Sequence, residues 1–369
     1  MSQEQDIKWY APYEAPLRLS GFAWFEQDRI YRRLPVKPDW PIPDAVDHLA
    51  NHTAGGQVAF RTDSRRVWVK VQLAGPANMV HMPATGQCGF DLYLGEPGSM
   101  MYWNTTKWDG KESAYTVELL NAPTSEMRHI TINFPLYQGV KELQIGLDEG
   151  ARVEAPAPYV RNERIIFYGT SITQGACATR PGLAYTNILS RRLNVEMINL
   201  GFSGSGKGEP ELAHLAAQIE RPACLVLDYE ANCVSTELFR ETLPQFIAIY
   251  RQYHPDVPIL VISRLRRVHD EIYPDSLARR TERWELQRGT VEARRKAGDR
   301  NIYFLDGTTL LKSDWDECTV DTTHPNDIGF LQMADGIEPV LGAAEIVNRP
   351  TEQPEQSILH DTVVSNSAQ

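Results

Sequence analysis

Two short stretches that lie far apart in the sequence contain residue types that could do chemistry, a serine in the first and an aspartate with a histidine in the second. Ser171 lies in GTSIT, a turn between an apolar run and a helix-like run, where its hydroxyl would be exposed. Asp321 precedes His324 in DTTH, so its carboxylate can accept a hydrogen bond from one ring nitrogen. The other nitrogen is then free to act as a base.

Each of these stretches also has a simpler interpretation when it is considered alone. Ser171 would be the N-cap of the helix that follows it, since serine is favoured there. Asp321 would cap the last helix, and His324 would be an exposed neighbour beside it. Pro325 predicts that His324 lies at the start of that helix, because proline is favoured in a helix's first turn. An Asp-x-x-His pair is only moderately specific, so both interpretations stay open at this point.

A glycine-rich stretch, NLGFSGSGKG at residues 199–208, indicates a different chemistry, because residues 201–207 fit the G-x-x-x-x-G-K pattern of a nucleotide-binding P-loop. In such a loop a serine or threonine follows the lysine and ligates Mg²⁺, whereas Gly208 stands at that position here. Asp228, at the end of CLVLD, imitates the metal-binding acid of the same site. The stretch follows the second apolar run of its half, whereas a P-loop follows the first. We therefore do not expect nucleotide binding.

The first half of the chain, up to about residue 155, has the sequence pattern typical of β-strands. Apolar and polar residues alternate at 67–73, 130–134 and 143–147, which is the period of half-buried strands. Turn signals such as LGEPGS and WDGKES separate these runs. Many short strands at such spacing predict an antiparallel sandwich.

A proline-rich segment, EAPAPYVRNE, has the composition of a linker or a domain boundary. After it the sequence pattern changes to apolar runs that alternate with helix-like segments. The expected strands are 165–168, 195–200, 223–228, 258–263 and 301–305, and the expected helices are 184–193, 209–219, 236–253, 277–297 and 327–346. This alternation predicts a parallel sheet with helices on both faces. Ligands bind at the carboxyl ends of such strands, so the candidate site residues are those that follow each strand, including Arg264 after the fourth.

Taken together, these stretches resemble the four sequence blocks of the SGNH/GDSL hydrolases. YGTSITQG is similar to the first block, NLGFSG to the second, and DTTH to the last, while Asn232 matches the asparagine of the third. GFDLY at residues 89–93 is similar to the G-x-D-L-Y stretch of a branch with an additional N-terminal β-domain. The sequence departs from the family where Thr170 replaces an aspartate and where Glu230 and Cys233 replace a glycine and an aspartate. The departure at Glu230 affects the expected shape of the oxyanion loop more than it affects the assignment of Asn232.

The resemblance implies a fold, a set of site residues and an activity. It implies a flavodoxin-like α/β/α SGNH hydrolase domain with a parallel sheet at residues 158–347 and an all-β jelly-roll-like sandwich before it at 1–157. The composition of residues 348–369, which is rich in Pro, Gln and Ser, predicts a loosely ordered tail. The implied nucleophile is Ser171, with His324 as the base and Asp321 as its partner. The implied oxyanion hole consists of the N–H groups of Ser171 and Gly204 and the side-chain amide of Asn232.

The activity that this family implies is a serine esterase acting on acetyl or another short acyl ester of a carbohydrate or other polar alcohol. An acyltransferase with the same triad is an alternative, and a non-catalytic carbohydrate-binding protein is another. For the latter, Tyr102, Trp103 and Trp108 would stack on sugar rings, although core or interdomain packing also explains them. Arg264 and Trp103 are the candidates for contacts with the substrate.

Composition narrows the possible partners and the compartment. A net charge of −11 without a stripe of Lys and Arg argues against nucleic acid. No apolar run approaches the roughly 18 residues of a membrane span, and no secretory signal is visible. The five cysteines have no paired spacing, which favours free thiols in the cytoplasm. The histidines are scattered, so we expect neither a metal nor an organic cofactor.

Overall fold

The computed structural model describes residues 6–343. The expected tail at 348–369 and the last residues of the expected final helix lie outside this range. Within it, no helix combines the length and the apolar character needed to cross a membrane. The proposed division of the chain at residues 157 and 158 stays a prediction.

The first half forms two antiparallel sheets packed face to face. Its strands are β1 (Ile7–Tyr10), β2 (Arg18–Ser20), β3 (Gln57–Thr62), β4 (Arg66–Leu73), β5 (Asp91–Leu94), β6 (Met101–Thr105), β7 (Ala114–Asn121), β8 (Arg128–Asn133), β9 (Val140–Asp148) and β10 (Val153–Glu154). One sheet has the order β1-β9-β4-β7, and the other has the order β10-β3-β8-β5-β6, with β2 paired to β3. The predicted sandwich is confirmed.

Side-chain alternation explains why these strands form a sandwich. Along β4, the side chains of Val67, Val69, Val71 and Leu73 are buried, while the residues between them are half-buried or exposed. Strand β4 lies in the middle of its sheet, between β9 and β7, so its inner face packs into the sandwich core. The period of two in the sequence therefore identifies both the strand and its buried face.

Three short helices interrupt the strands of this half: α1 (Phe25–Asp28), α2 (Asp44–Leu49) and α3 (Ala84–Gln87). The segment around α2 does not pack into the sandwich. Leu34, Val46 and Ala50 are buried in a hydrophobic cluster that otherwise belongs to the second half. The two halves are thus joined by apolar packing as well as by the chain.

The second half is a five-stranded parallel sheet with helices on both faces. Its strands are β11 (Arg164–Gly169), β12 (Glu196–Gly201), β13 (Pro222–Asp228), β14 (Ile259–Ile262) and β15 (Ile302–Leu305), and its helices are α4 (Ser171–Gln174), α5 (Tyr185–Leu193), α6 (Pro210–Gln218), α7 (Thr236–Tyr253), α8 (His269–Ile272), α9 (Pro274–Lys296) and α10 (Asp327–Ala343). The strand order β12-β11-β13-β14-β15 is that of flavodoxin-like folds, which confirms the predicted class.

The GFDLY stretch at residues 89–93 lies at the junction of the two halves. The fully buried carboxylate of Asp91 accepts hydrogen bonds from the Arg180 guanidinium and the Gly182 N–H, both at 2.8 Å. Asn133 on β8 donates to the other carboxylate oxygen at 2.8 Å. The aspartate of this motif therefore connects the β-sandwich to the loop that follows α4.

Candidate active site

Ser171 begins α4 directly after the strand β11, at the carboxyl edge of the parallel sheet. Thr170 is the N-cap of this helix, because its hydroxyl oxygen accepts the N–H of Ile172 at 3.2 Å. The interpretation of Ser171 as the cap is therefore wrong, and the threonine that replaces the family's aspartate keeps a capping oxygen. Ser171 Oγ lies 2.9 Å from His324 Nε2.

His324 and Asp321 complete a continuous chain of hydrogen bonds that begins at Ser171. His324 Nδ1 lies 2.7 Å from Asp321 Oδ2, and the backbone N–H of His324 donates to Asp321 Oδ1 at 2.7 Å. Burial alone raises the pKa of the Asp321 carboxyl, but the hydrogen bonds from His324 outweigh it and hold this pKa below its usual range. Asp321 is therefore a carboxylate at neutral pH and fixes the proton of the ring on Nδ1.

The position of Pro325 differs from the prediction. The first turn of α10 starts at Asp327, and Asn326 caps it by accepting the N–H of Gly329 on its side chain at 3.1 Å. Pro325 precedes this cap, and its carbonyl accepts the N–H of Cys177 at 2.9 Å. The proline thus joins the histidine loop to the loop after α4 and is not in the helix.

The loop at residues 202–208, which follows β12, leaves one backbone donor without an acceptor. The N–H groups of Phe202, Ser203, Ser205, Gly206, Lys207 and Gly208 all donate to other protein atoms. Among the described residues, none accepts from the N–H of Gly204, and the same holds for the N–H of Ser171. Gly204 has φ +65°, and a Cβ built on it meets no atom within 4 Å. The loop therefore presents a single N–H next to open space.

These contacts also explain why the loop is not a P-loop. The N–H of Lys207 donates to Glu209 and that of Gly208 donates to the Tyr168 hydroxyl, at 3.0 and 2.8 Å. A phosphate cradle needs several free N–H groups that point at the ligand. Here the protein itself uses those groups, so the resemblance to a P-loop is confined to the sequence.

Asn232 is the last residue of the 3₁₀ turn Glu230–Asn232, which follows β13. Its side chain contacts the loop at residues 202–208. Its Nδ2 donates one hydrogen to the carbonyl of Phe202 at 3.0 Å, which leaves the second amide hydrogen. Glu230, which replaces the family's glycine, is buried and accepts the N–H of Arg264 and the amide of Gln287, both at 2.8 Å. The departure at 230 therefore anchors this turn.

The two predicted substrate contacts lie elsewhere. Arg264 is only 9% exposed, and its guanidinium donates to Asp270 at 3.0 Å. None of its contacts within residues 6–343 is with Ser171, Asp321 or His324. Trp103 is 51% exposed on β6, at the edge of the sandwich sheet. The structure thus brings neither residue together with the triad, and both assignments stay predictions.

The β-sandwich half contributes contacts to the site that the sequence did not reveal. The hydroxyl of Tyr137 donates to the carbonyl of Ser171 at 3.2 Å. The ring of His81 lies 5.8 Å from that of His324. Tyr137 and Ser203 also line a cleft of about 1250 Å³, and most of its lining residues belong to the sandwich half. No local motif marks these residues, because their partners are more than thirty positions away.

One group of side chains has the types and proximity of metal ligands. His81, Cys177 and His324 offer ligand atoms that all lie within 4.8 Å of one another. Both ring nitrogens of His324 are already engaged, with Ser171 and Asp321. Burial, followed by the charge of Asp321, raises the pKa of the Cys177 thiol to about 12. The thiol is therefore neutral at physiological pH, which is unsuited to nucleophilic attack.

Sequence comparisons agree with this geometry over both halves. The profile of the GDSL-like lipase/acylhydrolase family matches residues 162–342, and a profile for the N-terminus of SGNH-hydrolase-type esterases, named GxDLY, matches residues 7–153. A crystal structure from Bacteroides ovatus, described as a GDSL-like lipase, is 31% identical and covers 92% of this chain and 98% of its own, with a TM-score of 0.84. The chain belongs to the GDSL-like lipase/acylhydrolase family.

Other solved structures share the fold of this GDSL-like hydrolase at lower identity. A salicylyl-acyltransferase from a tetracycline biosynthetic pathway is 21% identical over 92% of this chain and 98% of its own, with a TM-score of 0.73. A family two carbohydrate esterase from Cellvibrio japonicus is 13% identical over 93% and 99%, with a TM-score of 0.55. A search of curated proteins finds no match. At these identities the likeness to the last two structures concerns the two-domain fold alone.

Proposed function

We propose that the protein is a serine esterase that removes acetyl or another short acyl group from a carbohydrate or another polar alcohol. The observation that carries the proposal is the unbroken hydrogen-bond chain from Ser171 Oγ through the His324 ring to Asp321. Membership of the GDSL-like lipase/acylhydrolase family supports an ester-cleaving reaction. The short acyl group and the polar alcohol are part of the proposal.

The first half of the reaction forms an acyl-serine. His324 Nε2 takes the proton of Ser171 as Oγ attacks the ester carbonyl carbon, and Asp321 stabilises the imidazolium that results. The carbonyl oxygen becomes negative and accepts hydrogen bonds from the N–H groups of Ser171 and Gly204 and from the Asn232 amide. When the intermediate collapses, the C–O bond to the alcohol breaks and His324 returns the proton to the leaving oxygen.

The second half of the reaction repeats these steps with water. His324 takes a proton from water as its oxygen attacks the acyl carbon, the same donors hold the oxyanion, and the bond to Ser171 Oγ breaks with return of the proton. Each oxyanion donor contributes on the order of 3 kcal/mol, because it is aimed at charge that exists only in the transition state. No step requires a metal or an organic cofactor.

Hydrolysis of p-nitrophenyl acetate by the wild type and by Ser171→Ala tests the proposal. We expect release of p-nitrophenol by the wild type and a rate at background for the variant. A trapped acetyl group, detected by mass spectrometry after rapid acid quenching, should lie on the peptide that contains Ser171. Equal turnover by both proteins, or none by either, would show that the assignment is wrong.

Transfer of the acyl group to a second alcohol is a further candidate, favoured by the enclosure of the nucleophile. Ser171 is only 8% exposed, and a site that restricts water allows another hydroxyl to accept the acyl group. Product analysis with and without an added alcohol, such as methyl glucoside, distinguishes the two reactions. A new acetyl glucoside would indicate transfer, and acetate alone would indicate hydrolysis.

The proposed setting is the cytoplasm, in contact with a small-molecule or oligosaccharide ester and without nucleic acid, membrane or metal. All five cysteines are unpaired and buried, which suits a reducing compartment. Fractionation of cells that produce the protein, with an assay for p-nitrophenyl acetate turnover in each fraction, tests this placement. Activity confined to the medium or to a membrane fraction would contradict it.

A further inference from the structure

One buried side chain, Gln174, connects the β-sandwich half to the loop that carries Gly204. Gln174 is the last residue of α4, and its amide oxygen accepts the N–H of Ser203 at 3.1 Å. Its Nε2 donates to the carbonyl of Leu136 at 3.1 Å and to His52 Nδ1 at 3.0 Å. Leu136 and His52 belong to the sandwich half, and Ser203 belongs to the loop. The amide of Gln174 therefore bonds to both and links them directly.

The chemistry of the partners fixes the orientation of the amide and the tautomer of the ring. The backbone N–H of Ser203 can only donate, and the carbonyl of Leu136 can only accept, so the oxygen and nitrogen of Gln174 cannot be exchanged. His52 Nδ1 must then be the acceptor, and the ring proton lies on Nε2. Burial, followed by the charges of Arg33 and His48, lowers the pKa of His52 to about 3, which keeps the ring neutral at neutral pH.

A second buried side chain from the sandwich half holds the start of the same loop. Arg33 is 1% exposed, and its Nε donates to the carbonyl of His52 at 2.7 Å. Its Nη1 donates to the carbonyl of Asn199 at 3.2 Å, near the end of β12. Arg33 and Gln174 therefore connect the segment around His52 to residues on both sides of the position where β12 ends.

The direction of the Gly204 N–H depends on these contacts. The peptide plane that carries this N–H begins at Ser203, whose own N–H is held by Gln174. An oxyanion donor is effective only when it lies about 2.7–3.1 Å from the oxyanion, and small misplacements cost large factors in rate. We propose that Gln174 is a positioning residue for ester cleavage: anchored by Leu136 and His52, it holds Ser203 so that the Gly204 N–H faces the oxyanion. This inference rests on the proposed esterase function.

A positioning role and a purely structural role predict different kinetics. If Gln174 only satisfies buried polar groups, its replacement lowers the free energy of unfolding and leaves the folded enzyme with a normal kcat. If it positions the oxyanion donor, kcat falls while KM stays near its wild-type value, because the donor acts in the transition state. Affinity for an arylboronic acid, which forms a tetrahedral adduct on serine, should fall with kcat.

The test compares Gln174→Met with Gln57→Met, using p-nitrophenyl acetate as the substrate and phenylboronic acid as the inhibitor. Gln57 is also a buried glutamine, and its amide donates to Asn133 at 2.8 Å within the sandwich, away from the triad. We expect kcat of Gln174→Met to fall by about 10- to 100-fold with KM within about twofold, and the boronate to bind more weakly by a similar factor. Gln57→Met should lower Tm and leave kcat unchanged.

A folded Gln174→Met protein with wild-type kcat and boronate affinity would overturn the inference, and so would an equal loss of kcat in Gln57→Met. If Gln174→Met does not fold, His52→Phe decides, because it removes one acceptor and leaves the bonds to Ser203 and Leu136. An unchanged kcat in His52→Phe then overturns the inference, whereas a drop of about 3- to 10-fold supports it. Wild-type protein without Ser171-dependent turnover would instead contradict the proposed function.

Discussion

The two halves of the molecule contribute to the candidate site in different ways. Ser171, Asp321 and His324 all belong to the α/β half and follow the carboxyl ends of its strands. The β-sandwich half supplies none of the proposed reacting groups within residues 6–343. It instead supplies contacts behind them, such as the Tyr137 hydroxyl on the Ser171 carbonyl. On the proposed assignment, one half carries the reacting groups and the other half holds them in position.

This comparison is tested most strongly at Ser171, the proposed nucleophile. Ser171→Ala removes the atom that would form the acyl intermediate, so kcat for p-nitrophenyl acetate should fall on the order of 10⁴-fold or more. Ser205→Ala, in the neighbouring loop, is the matched control and should keep wild-type turnover. Thermal unfolding should show similar Tm values for both variants. A Ser171→Ala protein with more than about a hundredth of wild-type activity would contradict the assignment.

Asn232 tests whether the α/β half also supplies the side-chain donor to the oxyanion. Asn232→Ala should lower kcat by about 10²- to 10³-fold with little change in KM, because the lost hydrogen bond acts in the transition state. The substitution also removes the bond to the Phe202 carbonyl, so a small decrease in Tm is expected. Steady-state kinetics checks the prediction. A rise in KM at constant kcat would instead indicate a ground-state contact.

The sequence predicts the site contacts that form within the α/β half better than those that form between the two halves. The Asp321–His324 pair was predictable because it is local and because a carboxylate three positions before a histidine can reach its ring. Thr170 shows a limit, since capping depends on the φ and ψ angles of one residue. The anchoring of Gln174 could not be predicted, because Leu136 and His52 come near it only when both halves are folded.

The fold shows the same contrast. All five strands of the parallel sheet were predictable from their apolar runs, since buried parallel strands are apolar on both faces. The packing of Leu34, Val46 and Ala50 against the second half was not, because a short apolar segment carries no signal for the surface that it covers. Arg264 likewise follows a strand, as the sequence indicates. Its buried ion pair with Asp270 could not be predicted from the spacing of the two residues.

The junction between the halves should be stabilised by Asp91 more than by any exposed ion pair. Asp91→Asn leaves the Arg180 guanidinium without a charged partner in a buried place, so the free energy of unfolding should fall by about 3 kcal/mol. Asp335→Asn removes an exposed partner of Arg192 and should cost less than about 0.5 kcal/mol. Urea unfolding measures both values. Equal losses would show that Asp91 does not hold the halves together.

Asp228, at the end of β13, should make stability depend on pH within the α/β half. Burial raises the pKa of its carboxyl to about 7, although hydrogen bonds from Tyr185 and Thr173 lower it. The folded protein therefore binds this proton more tightly than the unfolded chain, and stability falls as pH rises from about 4 to about 7. Asp228→Asn keeps the acceptor and removes the titration.

The difference in stability between Asp228→Asn and the wild type should grow with pH through this window, by at most about 1.4 kcal/mol per unit. Urea unfolding at pH 5, 6 and 7 measures it. A difference that stays constant, or that shrinks as pH rises, would contradict the raised pKa. The Asp228 carboxyl would then make no contribution to the pH dependence of the free energy of unfolding.

Lys207 should have the smallest effect, although its motif suggested phosphate binding. A P-loop lysine contacts the transferred phosphates, so its loss abolishes the activity of an NTPase. In this loop the N–H groups on either side of Gly204 are taken by the protein, and the backbone N–H of Lys207 itself donates to Glu209. Lys207→Ala should therefore change kcat and KM for p-nitrophenyl acetate by less than about twofold, and ATP should not raise Tm. If ATP raised the Tm of the wild type but not that of Lys207→Ala, the loop would bind phosphate after all. The α/β half would then have a nucleotide-binding function in addition to the proposed ester cleavage.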